Sequence, residues 1–412
     1  MLFTKRTILT ALAISAAASF LLCGYEFIRA VSTSLFIKAY GAHNLPRVMV
    51  AIPPAVLLLL YIYGRILSWL GAKRALLLTS LLSAVLIGGS FGLLINGYAL
   101  AAAFIYVFRE AYIVLIIEQY WSLVNSTFSA EQARRINGPF CGLASLGSIA
   151  GGLFVAQWAE RLGSETFLIF TAASLLPATA CAVLAYTFAG EPEPTKIKER
   201  GKFGHLGIGS VFHSSHLVLI FLLIITTQVI STVLDLRFNG LVEIAIPEKD
   251  ARTAYFGNFY AKLGIAASIL QFIAVPLVLR VVPLRIVHLS IPAVHLVFCG
   301  LLTFAPSLRS GATAYLLFKA FDYSIFRAGK ELFYIPLSFD ERYRAKQVID
   351  TFGYRFAKGG SAGIIALIGL VVTVPGIAFS TTAMIMAVAW GIIASHLTVR
   401  FQRLRTHSTE LK

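Results

Sequence analysis

GEPEPTKIKERGKFGHLG, residues Gly190 to Gly207, is the one clear polar linker inside a chain of 412 residues that is 58% hydrophobic and 13% charged, with a mean hydropathy of +0.80. Its Pro, Gly and charged residues cannot form an apolar span and mark a boundary instead. A hydrocarbon core of ~30 Å is crossed by roughly 20 apolar residues in a helix. Working outward from the linker, six such runs lie on its N-terminal side, centred near Ser15, Leu58, Val85, Val114, Leu146 and Leu176. Six more follow it, near Ile224, Ala267, Leu296, Phe321, Ala362 and Met386. So much apolar surface excludes a soluble globular protein. The reading is an all-α membrane protein of about twelve transmembrane helices, with six-helix bundles at 1–189 and 213–412 joined by a linker at 190–212.

The net charge of +16 invites a nucleic-acid partner, but the Lys and Arg residues neither cluster in a soluble domain nor interleave with exposed aromatics, so that class is excluded. They punctuate the ends of the apolar runs. Nineteen fall on one side, from Lys5 and Arg6 through Arg65, Lys73, Arg74, Arg134, Arg135, Lys196 to Lys202, Arg280, Arg285, Arg342, Arg344 and Lys346 to Arg400, Arg403 and Arg405. Six fall on the other: Lys38, Arg47, Arg161, Lys249, Arg252 and Arg309. Positive residues accumulate on the cytoplasmic side, which places both termini and the linker in the cytoplasm. The start, KRTILTALAISAAAS, has the make-up of a signal peptide, yet its removal leaves an odd number of spans and breaks the charge alternation, so it is read as the first span. Cys23, Cys141, Cys181 and Cys299 all lie in apolar runs without CxxC spacing, which indicates neither a disulfide nor a metal site.

Two halves of six invite a search for a repeat. At an offset of 212 residues Ala133-Arg134 overlies Ala345-Lys346, Gly147 overlies Gly359, Gly151 overlies Gly363, and Glu110 overlies Asp322. That topology is major-facilitator-like: two bundles rocking about a midplane site. GRILSWLGAKR, Gly64 to Arg74, resembles the facilitator loop between spans two and three, with Ser68 near the place of its usual acidic residue. Gly138, Gly142, Gly147 and Gly151 in span five, with Gly359 and Gly363 in span eleven, give the small-residue spacing that lets helices approach closely, for static packing or for sliding.

Ionisable residues inside spans are costly and face one another or a cavity. Span one carries Glu26 and Arg29, span four Arg109 and Glu110, span seven Asp235 and Arg237. Span ten carries Lys319, Asp322, Lys330 and Glu331, and span eleven Asp350, Arg355 and Lys358. In an uninterrupted helix Lys319 and Lys330, eleven residues apart, share a stripe with Asp322. Arg355 and Lys358 form a second basic edge. Asp350 is placed to cap span eleven or to pair with Lys346 one turn earlier. The basic excess calls for a small anionic solute. Arg109-Glu110 and Lys330-Glu331 also read as structural pairs, and Tyr106 and Trp121 as either aromatic packing or a surface for stacking a base.

Between Ala328 and Gly360, Lys330-Glu331, Tyr334-Ile335-Pro336-Leu337, Lys346, Asp350, Arg355 and Lys358-Gly359-Gly360 resemble in order and spacing the signature of the ATP/ADP translocases, nucleotide transporters of plastids and intracellular bacteria. Arg29 with Gly41-Ala42 and Leu45-Pro46, and Glu110, Trp121, Asn125, Phe128, Glu131 and Ala133-Arg134-Arg135, are similar to that family's first, fourth and fifth spans. The resemblance implies a nucleotide carrier in a bacterial inner membrane. Two departures accompany it. Ser32 and Thr33 stand where ATP/ADP exchangers carry Lys-Asp, and Leu234-Asp235-Leu236-Arg237-Phe238 replaces their Glu and Trp-Lys in span seven.

These readings combine into a monomeric multi-pass transporter without a cofactor. It binds an anion, a nucleotide or related phosphate compound, through Arg29, Arg109, Arg237, Lys319, Lys330, Arg355 and Lys358, and Glu110, Asp235, Asp322, Glu331 and Asp350 hold those cations. A proton-coupled carrier or exporter, cycling a proton on Glu110, Asp235 or Asp350, is the alternative. A membrane enzyme is disfavoured because none of the eight His residues has HExxH or nucleophile-base spacing.

Overall fold

The computed structural model describes residues 4–128, 130–190, 211–212, 214–337, 346 and 348–410, and among them every regular element is helical. In chain order these are α1 (Lys5–Tyr40), α2 (Leu45–Met49), α3 (Ile52–Ile95), α4 (Leu100–Thr127), α5 (Ala130–Leu162), α6 (Thr166–Ala189), α7 (Ser215–Ala245), α8 (Lys249–Ile269), α9 (Val275–Val281), α10 (Leu284–Phe304), α11 (Leu308–Phe321), α12 (Arg327–Leu332), α13 (Tyr354–Ile368) and α14 (Gly376–Glu410). Linker residues 191–210, with Arg342 and Arg344, lie outside the described residues.

Nine stretches among the described residues are long and apolar enough to cross a membrane. The difference from twelve has local causes. The 44-residue α3 holds two spans, broken at Gly71, whose φ of 77° and ψ of 174° leave the helical region. Only glycine takes that conformation without strain, and Gly71 is the second glycine of the facilitator-like loop. The tenth and eleventh spans are interrupted by π-helical turns at Asp322–Phe326 and Val348–Gly353, so neither is one long α-helix. A further π-helical turn, Leu270–Ala274, joins α8 to α9.

Cα packing divides the chain into two compact units. The first is Met1–Lys196 with Ile246–Ile265, and the second is Ile197–Ala245 with Ala266–Lys412. In the first, α1 packs on α4, α5 and α6, and α3 on α4 and α6. Lipid is as apolar as leucine, so helices associate through close approach and polar contacts. Gly147 and Gly151 supply the approach: a Cβ there would stand 2.2 Å from the Ser19 carbonyl oxygen and 2.5 Å from that of Cys23 on α1. Gly138 and Gly142, of the same sequence pattern, have no such neighbour within 4 Å. In the second unit α7 packs on α11, α13 and α14, and α10 on α11 and α14, around buried Phe238, Phe318, Phe333 and Trp390.

Candidate functional site

Each unit carries its own cluster of ionisable side chains. In the first unit α4 directs Arg109 at α1, where its Nη1 donates to the Arg29 carbonyl oxygen at 2.6 Å, Ser32 Oγ at 2.8 Å and Thr33 Oγ1 at 2.6 Å. The two hydroxyls are oriented for this. Ser32 donates to the Ile28 carbonyl at 2.6 Å and Thr33 to that of Arg29 at 3.2 Å, which leaves their lone pairs facing the guanidinium. Arg109 is 5% exposed, lies 3.5 Å through Nε from Glu110 and rests 4.2 Å over the Tyr106 ring. It is a cation held from several sides.

Arg29 is held differently. Its Nη1 stands 3.6 Å from Glu26 Oε1 and its guanidinium lies 3.8 Å over the ring of Tyr260 on α8, within the same unit. Glu26 in turn accepts from Ser148 Oγ of α5 at 2.8 Å. A second polar group ties the start of α8 to the same unit. Lys249 bonds Glu165 at 2.5 Å, Asp250 accepts from the Ser164 backbone at 2.8 Å, and Arg252 donates to Ser34 Oγ at 3.3 Å.

In the second unit Lys330 Nζ donates to Asp350 Oδ1 at 2.6 Å and lies 3.8 Å from Glu331 Oε1. Tyr334 donates to the same Asp350 oxygen at 3.4 Å, and Lys346 pairs with Glu331. Asp350 therefore partners Lys330, not Lys346. The π-helical turn at Asp322–Phe326 lies between Lys319 and Lys330 and shifts the stripe that an uninterrupted helix would give. Lys319 instead donates to Ser231 Oγ of α7 at 2.8 Å, and Asp322 accepts from the Tyr354 hydroxyl at 3.0 Å. Both are buried. Arg355 and Lys358 stand half-buried one turn apart on α13.

Asp235 and Arg237 lie further along α7 than Ser231. Asp235 accepts from Asn239 at 2.9 Å, and the Arg237 guanidinium packs on Gly376 at the start of α14 so tightly that a Cβ there would meet it at 1.9 Å. Tyr106 lies beneath Arg109, and Trp121 packs edge-on to Phe140 at 5.6 Å. The sequence reading overlooked Ser148, Ser231, Tyr260 and Tyr354 as partners. Single hydroxyls and an aromatic in apolar helices carry no spacing signal.

Solved structures that superpose on this chain include a nucleoside transporter and a xylose transporter. A point mutant of the nucleoside transporter NupG superposes with a TM-score of 0.69 over 96% of this chain and 99% of that one, at 13% identity. The xylose transporter XylE from E. coli gives 0.59 over 93% and 95%, also at 13% identity. The fold is therefore that of the major facilitator transporters. Residues 293–405 match the family model described as TLC ATP/ADP transporter. "ADP,ATP carrier protein 1" of Rickettsia typhi is 23% identical over 59% of this chain and 56% of its own length. The protein of the same name from Chlamydia muridarum is 23% identical over 78% and 69%. The chain is thus similar, over part of its length, to the ATP/ADP transporters. It spans little more than half the length of the Rickettsia typhi relative that it matches.

Proposed function

We propose that the protein is a secondary transporter, not an enzyme, that moves an anionic solute, a nucleotide or related phosphate compound, by alternating access. The observation that carries this reading is Lys330, held between Asp350 and Glu331 inside the stretch that matches the ATP/ADP transporter model. A lysine whose partners are two half-exposed or exposed carboxylates can exchange them for a phosphate without leaving an unmet charge. Arg29, Arg109, Lys319, Arg355 and Lys358 supply further positive potential, and Glu110 and Asp322 hold the cations in the empty state. The two halves at 1–189 and 213–412 move as the rocking bodies. The protein is a monomer in a bacterial cell membrane, with both termini and the linker in the cytoplasm, and nucleic acid is no partner.

The preferred solute is smaller or less charged than ATP. A triphosphate brings about four negative charges that a poorly solvated cavity must meet with cations or dipoles. Ser32 and Thr33, in place of a lysine and an aspartate, supply no mobile cation and spend their lone pairs on Arg109. Proteoliposomes loaded in turn with AMP, ADP or inorganic phosphate and offered labelled ATP, ADP or AMP test the reading. Saturable uptake that needs an internal counter-solute and is fastest for AMP is expected. No flux of any of these anions, together with no thermal stabilisation by them, refutes it.

A further inference from the structure

Resting on the anion-carrier reading, we infer that Glu26 is the proton-binding group of the carrier, and that it takes up a proton when Arg29 turns from it to the bound anion. Glu26 is 5% exposed in the middle of α1, far from either end of that helix. Its Oε1 is met by the Ser148 hydroxyl at 2.8 Å and by Arg29 at 3.6 Å. Its Oε2 is buried and has no hydrogen-bond partner, and so is the hydroxyl of the fully buried Tyr112 on α4. Among the described residues, the titratable and charged groups facing Glu26 are Cys23 and Arg29 on α1 and Arg109 and Tyr112 on α4, and α5 contributes Ser148. No charged residue occurs on α6. Arg109 is already engaged with the Arg29 carbonyl, Ser32, Thr33 and Glu110, so the charge of Glu26 is balanced mainly by Arg29.

The Arg29 side chain is 13% exposed and its guanidinium carbon lies 3.8 Å over the Tyr260 ring, a contact that does not use its N–H donors. A phosphate offers that edge two parallel charge-assisted bonds, stronger than one contact at 3.6 Å. Once Arg29 has turned, Glu26 keeps one hydroxyl donor and an unmet oxygen in apolar surroundings. A lone carboxylate is expensive there, and binding a proton on Oε2 removes the charge. The balance is simple. The empty site pairs Arg29 with an ionised Glu26; the loaded site pairs Arg29 with the anion and holds Glu26 as a neutral acid. The proton comes from water on the side where the anion enters and leaves when Arg29 returns, so anion and proton travel together.

Infrared difference spectra of the full chain in liposomes test this in two arms. In the first no solute is added: Arg29→Gln should show a carboxylic-acid carbonyl band that wild type lacks and that vanishes in Arg29→Gln/Glu26→Gln. If no such band appears at any pH at which the variant stays folded, the inference falls, whatever the solute. The second arm uses wild type, so it survives a misfolded variant. Added AMP should bring up the same band, with net proton uptake in weakly buffered medium. AMP binding without either change overturns the inference. If neither AMP, ADP, ATP nor phosphate binds, the anion-carrier reading has failed instead, and the first arm still decides whether Glu26 takes a proton when Arg29 is removed.

Discussion

Replacing Lys330 by Gln separates a substrate cation from a structural one. The side chain is 12% exposed, bonds Asp350 at 2.6 Å and stands 3.8 Å from Glu331. A glutamine amide still donates to Asp350, so folding loses the difference between a charge-assisted bond of about 1.5–3 kcal/mol and a neutral one of about 0.5–1.5 kcal/mol. That difference is about 1 kcal/mol. It is reduced further because Asp350 is 25% exposed and reaches some solvent. The melting temperature should therefore fall by no more than about 4 °C, the shift that ~1 kcal/mol gives in a domain of some 200 residues. A phosphate deprived of its cation loses the full charge-assisted contact, about 1.5–3 kcal/mol, or roughly ten- to a hundredfold in affinity. Counterflow of labelled AMP in proteoliposomes reads the second quantity, and thermal unfolding in detergent reads the first. Loss of flux with near-normal melting supports the assignment. A large fall in melting temperature, with fold and flux both restored by adding Asp350→Asn, shows that Lys330 only neutralises a neighbour and that the reasoning is wrong.

Ser32→Ala combined with Thr33→Val removes two acceptors from buried Arg109 and should destabilise the first unit by about 1–3 kcal/mol for each lost bond to a charged group, read as a lower urea midpoint in mild detergent. An unchanged midpoint means that Glu110 and the Arg29 carbonyl hold the guanidinium alone. Gly147→Leu should abolish a monodisperse product, because a Cβ already meets the Ser19 carbonyl at 2.2 Å, whereas Gly142→Leu, with no such neighbour within 4 Å, should express normally; similar yields for both would refute the close approach. Reporter fusions after Gly190, before Lys5 and after Arg405 should all report the cytoplasm, and a linker on the side opposite either terminus contradicts the charge-based orientation. Proteoliposomes loaded with ADP should take up ATP weakly or not at all, and rapid saturable exchange would show that Ser32 and Thr33 do not limit the solute.

What could be read in the sequence is what hydropathy and covalent order carry. The apolar runs locate the spans, and the cluster from Lys330 to Lys358 carries the resemblance to the ATP/ADP translocases. The pairing of the charges was not legible, for two physical reasons. First, a π-helical turn depends on tertiary contacts, and the one at Asp322–Phe326 put Lys319 against Ser231 while Lys330 met Asp350. Periodicity at 3.6 residues per turn assumes an unbroken helix and misaligns every residue beyond such a turn. Second, several of the groups that meet the ionisable side chains are single hydroxyls: Ser32 and Thr33 for Arg109, Ser231 for Lys319, and Tyr354 for the carboxylate of Asp322. A serine in an apolar helix is ordinary in sequence, because its hydroxyl can bond the carbonyl four residues back. The same property makes it a partner for a cation that must change ligands. A hydroxyl that donates to its own helix presents lone pairs at no charge, so a lysine or arginine can leave without stranding an anion. Lys330 and Arg29 differ from these. Lys330 pairs with the partly exposed carboxylates of Asp350 and Glu331, which water can solvate, whereas Arg29 faces the buried carboxylate of Glu26, and a buried carboxylate that loses its cation has to find a proton.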